Sequence, residues 1–202
     1  MKVYPAYRIW SGMAGALLVS AAICAYAQQQ PTRADLQGAC SGDLNAVKEQ
    51  VDHGMDKHTR GQALLCAARN GDLEIVKYLV EHGADINQHD NGREKTPLLA
   101  ASFKGHTDVA EYLVDQGAEV NIQAVNGWTP LHDAVYIGNY DISKYLVDHG
   151  ANLKIKNERG ETPLETAERA QHDQDRIRQR QGLRSTPEDY RNIIDYLKSH
   201  GG

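Results

Sequence analysis

Nine histidines, three cysteines and an arginine-rich stretch near the C-terminus are the groups in this 202-residue chain best equipped for chemistry. Imidazoles ligate metals and move protons near neutral pH, and thiolates attack electrophiles or bind zinc. Their spacing argues against all of these uses. His53, His82, His149 and His200 each precede a glycine, where a ring at a helix C-terminus bonds the last carbonyls and suits the negative end of the helix. Cys24, Cys40 and Cys66 have no zinc-ligand spacing. The chain carries no Gly-x-Ser-x-Gly elbow, phosphate-binding glycine loop or Cys–His signature. His172-Asp173, close to Arg176, Arg178, Arg180 and Arg184, is the one pairing outside a regular pattern. On a polar helix such a pair is most simply solvated, so no catalytic residue, metal ligand or cofactor is assigned. An enzyme or metal protein built in that insert is the competing reading from a different functional class.

The elements that carry these residues recur. Thr96-Pro97-Leu98-Leu99, Thr129-Pro130-Leu131-His132 and Thr162-Pro163-Leu164-Glu165 stand 33 residues apart. In each, a threonine N-cap precedes a proline at the first helical position, where its missing N–H is no loss. Gly42, Gly71, Gly105 and Gly138 break a first helix in each unit. Tyr78-Leu79-Val80, Tyr112-Leu113-Val114 and Tyr145-Leu146-Val147 mark a second helix, and Gly54, Gly83, Gly117, Gly150 and Gly201 stop it. Neither short helix can bury its apolar face alone, so the units must stack.

A period of about 33 residues with Thr-Pro-Leu-His resembles the ankyrin family over roughly residues 33–202. The resemblance implies an all-α solenoid of about five helix-turn-helix repeats joined by β-hairpin-like loops. The expected repeats are 33–57, 58–91, 92–124, 125–157 and 158–202. The first is degenerate, with Met55 after its stop, and is expected to be a cap with a reduced hairpin behind it. Residues 87–95 should form a longer, charged hairpin finger around Asn91-Gly92. The last two stops are 51 residues apart rather than 33, so an inserted extension is expected at about 168–185, with the first helix running on towards Gln181. His132 is expected to make the family's hydrogen bond between adjacent loops, and His106 to sit at a helix break.

Residues 1–27 differ from the rest. Lys2 and Arg8 precede an uncharged run from Ile9 to Ala27 that ends in the small residues Ala25-Tyr26-Ala27. This is the pattern of a signal peptide cleaved near Ala27, followed by a linker at 28–32; an uncleaved anchor is the alternative, and either exports the remainder. A periplasmic or secreted protein, with no membrane span in the mature chain, is therefore expected. Removing Cys24 leaves Cys40 and Cys66, which permit one disulfide. They lie about one helical turn out of step on adjacent first helices, which favours two independent thiols over a bridge.

A net charge of −5 argues against a general nucleic-acid binder. What remains is a surface for protein partners on a monomer. The resemblance implies that hairpin tips and the exposed ends of first helices form a concave partner face. Carried onto this chain, that face takes in Cys40, Ser41 and Ala170 on the helices and Glu94, Lys95, Glu158, Arg159 and Glu161 on the hairpins, and its candidate contact residues are Arg69, Asn70, Arg93, Phe103, Lys104, Val125, Asn126, Trp128, Tyr136, Ile137 and Arg169. Phe103 is the chain's only phenylalanine, and Trp128 either packs on neighbouring hairpins or anchors a partner. The expected function is a non-catalytic exported adaptor; an inhibitor or immunity-type protein that neutralises an exported toxin or enzyme is the alternative role.

Overall fold

The computed structural model describes residues 33–89, 95–173 and 186–202. Residues 1–32, where a signal peptide and linker are expected, residues 90–94 of the expected hairpin finger, with Arg93, and residues 174–185 of the expected insert lie outside the described residues. Among those described, ten helices follow in five pairs: α1 (Arg33–Ser41) and α2 (Leu44–Asp52), α3 (Lys57–Asn70) and α4 (Leu73–Glu81), α5 (Pro97–Lys104) and α6 (Thr107–Asp115), α7 (Pro130–Ile137) and α8 (Tyr140–Asp148), and α9 (Pro163–His172) and α10 (Pro187–Ser199).

The local chemistry that starts and stops each helix repeats with the sequence. Thr96, Thr129, Thr162 and Thr186 are N-caps whose hydroxyls accept the backbone N–H three residues on, each with proline in the first turn. Asp56 takes over at α3, where the Thr-Pro pair is missing, and Asp43 caps the second helix α2. Gly71, Gly105 and Gly138 end first helices in the left-handed conformation, which a Cβ disfavours. At the second helices, His53, His82, His149 and His200 each donate Nδ1–H to the carbonyl four residues back, at 2.7–2.8 Å. The histidines therefore satisfy orphan carbonyls, as the His-Gly pairs suggest.

First helices pack on one another in a close row, α1 on α3, α3 on α5, α5 on α7 and α7 on α9, while the second helices touch less closely along the outside. That difference curves the stack with first helices on its inner side. One continuous core, with Leu64, Leu79, Leu98, Leu113, Leu131, Ile142, Leu146, Ile193 and Leu197 fully buried or nearly so, runs through the repeats. The loops are hairpin-like without being strands. Ala124 N–H donates to Trp128 O and Asn157 N–H to Glu161 O, while Glu158 N–H ties the second loop to Asn126 O of the first.

Two expectations are corrected. α9 ends at His172, where the N–H of Asp173 closes back onto Arg169 and Ala170, so the first helix of the last repeat does not run on unbroken to Gln181. Cys40 and Cys66 are disulfide-bonded, with Cα atoms 5.1 Å apart, rather than independent. Cys40 lies beside the stretch of α3 between Cys66 and Asn70. Its carbonyl accepts from Asn70 Nδ2 at 2.9 Å, while its Cβ leans back along α1 towards the level of Cys66. The one-turn offset is what the bond spans.

Candidate functional site

The inner row of first helices and the loops before them enclose an open groove with two adjoining basins. The first, about 510 Å³, is lined by Leu65, Arg69, Asn70, Lys95, Ala100, Phe103 and Lys104. The second, about 270 Å³, is lined by Lys95, Phe103, Asn126, Trp128, Asp133, Tyr136, Arg159 and Arg169. Lys95 and Phe103 belong to both, so the basins form one trough along the stack.

Aromatic packing shapes this trough. Trp128, just before α7, meets Tyr136 on that helix edge to face, with ring centroids 5.2 Å apart. It also lies 6.1 Å from the His132 ring. Lys95 Nζ sits 4.3 Å from the centre of the Phe103 ring, and the Arg169 guanidinium lies 5.8 Å from that of Tyr136. These cation–π contacts hold charge beside apolar faces without burying it. Trp128 thus braces its own repeat rather than a neighbouring hairpin, and it lines the trough.

The polar framework beneath is interlinked. His132 is fully buried. Its Nδ1 accepts the Thr129 N–H, and its Nε2 faces Glu161 O at 3.1 Å, linking consecutive loops. Burial pushes its pKa below the usual histidine value despite the opposing pull of Glu161. Burial likewise acts to raise Glu161, but the Arg169 fork and the Asn157 amide outweigh it and hold the carboxyl below its usual range. Asp133, only 4% exposed at the groove floor, has its pKa raised to about 7 by burial, with Lys95 pulling the other way.

The trough brings together eight of the eleven candidate residues: Arg69, Asn70, Phe103, Lys104, Asn126, Trp128, Tyr136 and Arg169. Val125 is 60% exposed on the neighbouring loop, outside the lining of both basins. Ile137 is not a surface residue: it is 2% exposed, at the end of α7 where Tyr190 of α10 donates its hydroxyl to Tyr136 O. Arg93 falls outside the described residues. Lys95 and Arg159, expected on the hairpin side of the face, also line it, and the structure adds Leu65, Ala100 and Asp133. Asp133 left a trace in the sequence, since the matching position holds alanine in the preceding repeat and threonine in the next, Ala100 and Thr166.

No group of three or more His, Cys, Asp or Glu side chains is placed to hold a metal among the described residues. No helix among them is long and apolar enough to cross a membrane. No curated protein matches the chain. A family model of ankyrin repeats in three copies matches residues 36–124, and one of ankyrin repeats in many copies matches 113–167. Ankyrin repeats characteristically serve as non-catalytic modules of protein–protein interaction, and the repeated helix pairs, glycine stops and interlocked loops agree: the chain belongs to the ankyrin-repeat family.

Proposed function

We propose that this protein is an exported adaptor that binds another protein in the trough between Arg69 and Arg169. The observation that carries the reading is the convergence of Phe103, Trp128 and Tyr136 from two repeats onto one open surface, with Lys95 and Arg169 against their rings. Binding energy at protein interfaces concentrates in a few residues, among which Trp, Tyr and Arg are enriched. The His132–Glu161 link and the Arg169–Glu161 fork hold this surface in place, so little ordering entropy is lost when a partner docks. The Cys40–Cys66 disulfide supports export, because such bonds persist in oxidising compartments.

The test is a crosslinking pulldown from envelope and secreted fractions with the mature chain and with a Phe103→Ala, Trp128→Ala, Tyr136→Ala variant of matched stability. A partner retained by the first and lost by the second is the expected result, and its identity separates an adaptor from an inhibitor. Equal capture by both chains refutes the trough as the site.

A further inference from the structure

The charge of the trough is opposite to that of the chain. Among the described residues, five cations, Arg69, Lys95, Lys104, Arg159 and Arg169, line its two basins against a single acid, Asp133, in a protein of net charge −5. The acids have gone elsewhere. α6, on the outer row, carries Asp108, Glu111 and Asp115 with no base, and an outer cleft is lined by Glu111, Asp141 and Asp148 beside Lys144. By contrast α3, on the inner row, carries Lys57, Arg60 and Arg69 with no acid.

Within the trough the charges have different roles. Arg169 is bound through both a 2.8 Å and a 3.0 Å contact to Glu161, which neutralises it in place. Lys104 and Arg159 stand exposed on opposite sides of the aromatic cluster. Asp133 lies sunk at the floor, where burial favours its neutral form. First helices stack roughly 10 Å apart. A trough reaching from α3 to α9 is therefore roughly 30 Å long, the span of about nine residues of extended chain.

We infer that the partner offers this trough an extended acidic segment, its carboxylates set against Lys104 and Arg159 and an apolar side chain seated among Phe103, Trp128 and Tyr136. The inference rests on the trough being the partner site. A basic partner would meet like charge at the rim, which costs affinity and slows encounter. Nucleic acid also carries negative charge, but the acidic remainder of the chain opposes the approach of a long polyanion, whereas a short acidic segment is screened from it beyond about 10 Å.

The test is selection of random peptides of about 12 residues, displayed on phage, against the full chain, followed by fluorescence anisotropy with labelled synthetic copies of those recovered. Recovered peptides should be rich in Asp and Glu around an aromatic or aliphatic residue. Lys104→Glu with Arg159→Glu should weaken their binding by about tenfold or more, with helix content unchanged. Lys77→Glu with Lys144→Glu makes the same change in net charge on the second helices, and should alter binding by no more than about twofold. Neutral or basic peptides that still depend on Phe103, Trp128 and Tyr136 overturn the acidic segment and leave the trough as the site. Peptides indifferent to both the aromatic and the rim substitutions overturn the trough itself. Equal weakening by the two charge-reversed pairs, recovery of no peptide, or a uridine-rich RNA oligonucleotide bound more tightly than any peptide and lost on rim reversal each refutes the inference.

Discussion

His132 and Glu161 meet across two repeats: the buried ring places Nε2 3.1 Å from the Glu161 carbonyl, 29 residues further along the chain. With Nδ1 accepting from Thr129 N–H, the proton resides on Nε2 and that nitrogen donates. His132→Ala removes the link and leaves the buried Thr129 N–H short of its acceptor, so it is expected to lower the unfolding free energy by about 2 kcal/mol. Because burial depresses the histidine's pKa in the fold, the unfolded chain binds the proton more readily. The contribution of His132 is therefore complete above the ordinary histidine pKa of 6.5 and is lost as pH falls through the folded value. Urea unfolding of both proteins between pH 5 and 8 should show the difference narrowing on the acid side.

Asp133 predicts the opposite slope. Its folded pKa is raised from 3.8 to about 7, so between these values the fold holds a proton that the unfolded chain releases. Stability should fall as pH rises through that window. Asp133→Asn is expected to remove the slope, gaining on the parent by roughly 2–3 kcal/mol between pH 5 and pH 8 in the same titration. A variant that tracks the parent at every pH would show that Asp133 ionises freely in the fold.

The Cys40–Cys66 bond closes a loop of 26 residues and ties the degenerate first repeat to the second. Loop-closure entropy places its contribution at about 3.5 kcal/mol. Reductant should lower the melting temperature and release amide-exchange protection in α1 and α2 before the other helices. A Cys40→Ser, Cys66→Ser variant should melt like the reduced chain and be indifferent to reductant.

Gly71 and Gly117 separate backbone strain from packing. Both have positive φ, 86° and 87°. A Cβ at Gly117 would meet nothing within 4 Å, whereas one at Gly71 would lie 2.5 Å from the His106 ring, which faces Arg69 O at 3.1 Å. Gly117→Ala should cost about 1 kcal/mol for the left-handed conformation alone. Gly71→Ala should cost about 1 kcal/mol more, as the His106–Arg69 contact is displaced. Equal losses in chemical unfolding would mean that the His106 ring moves aside freely.

Much of this architecture was legible one repeat at a time. Thr129-Pro130 declares a helix start and Gly138 a stop, because capping and left-handed backbone are chemistry of adjacent residues. The His-Gly pairs declare their role for the same reason, since the ring reaches a carbonyl only four residues away. The trough was legible more coarsely. Position in the repeat placed Phe103, Trp128 and Tyr136 on one surface, because a regular stack carries equal positions to equal sites.

The sequence by itself therefore determined the period, the helix boundaries common to the repeats, the outward set of aromatics and the structural use of most histidines. Tertiary structure alone decided what depends on distance between repeats and on the irregular ends. It joined Cys40 to Cys66 across a turn of offset. It buried Ile137, which repeat position had placed at the surface, where Tyr190 reaches over the end of α7. It sank Asp133 beneath a rim of cations drawn from separate loops and helices, since the field at a carboxyl depends on which charges stand near it in space and on how little water reaches it. Those are properties of the stack and of no single repeat.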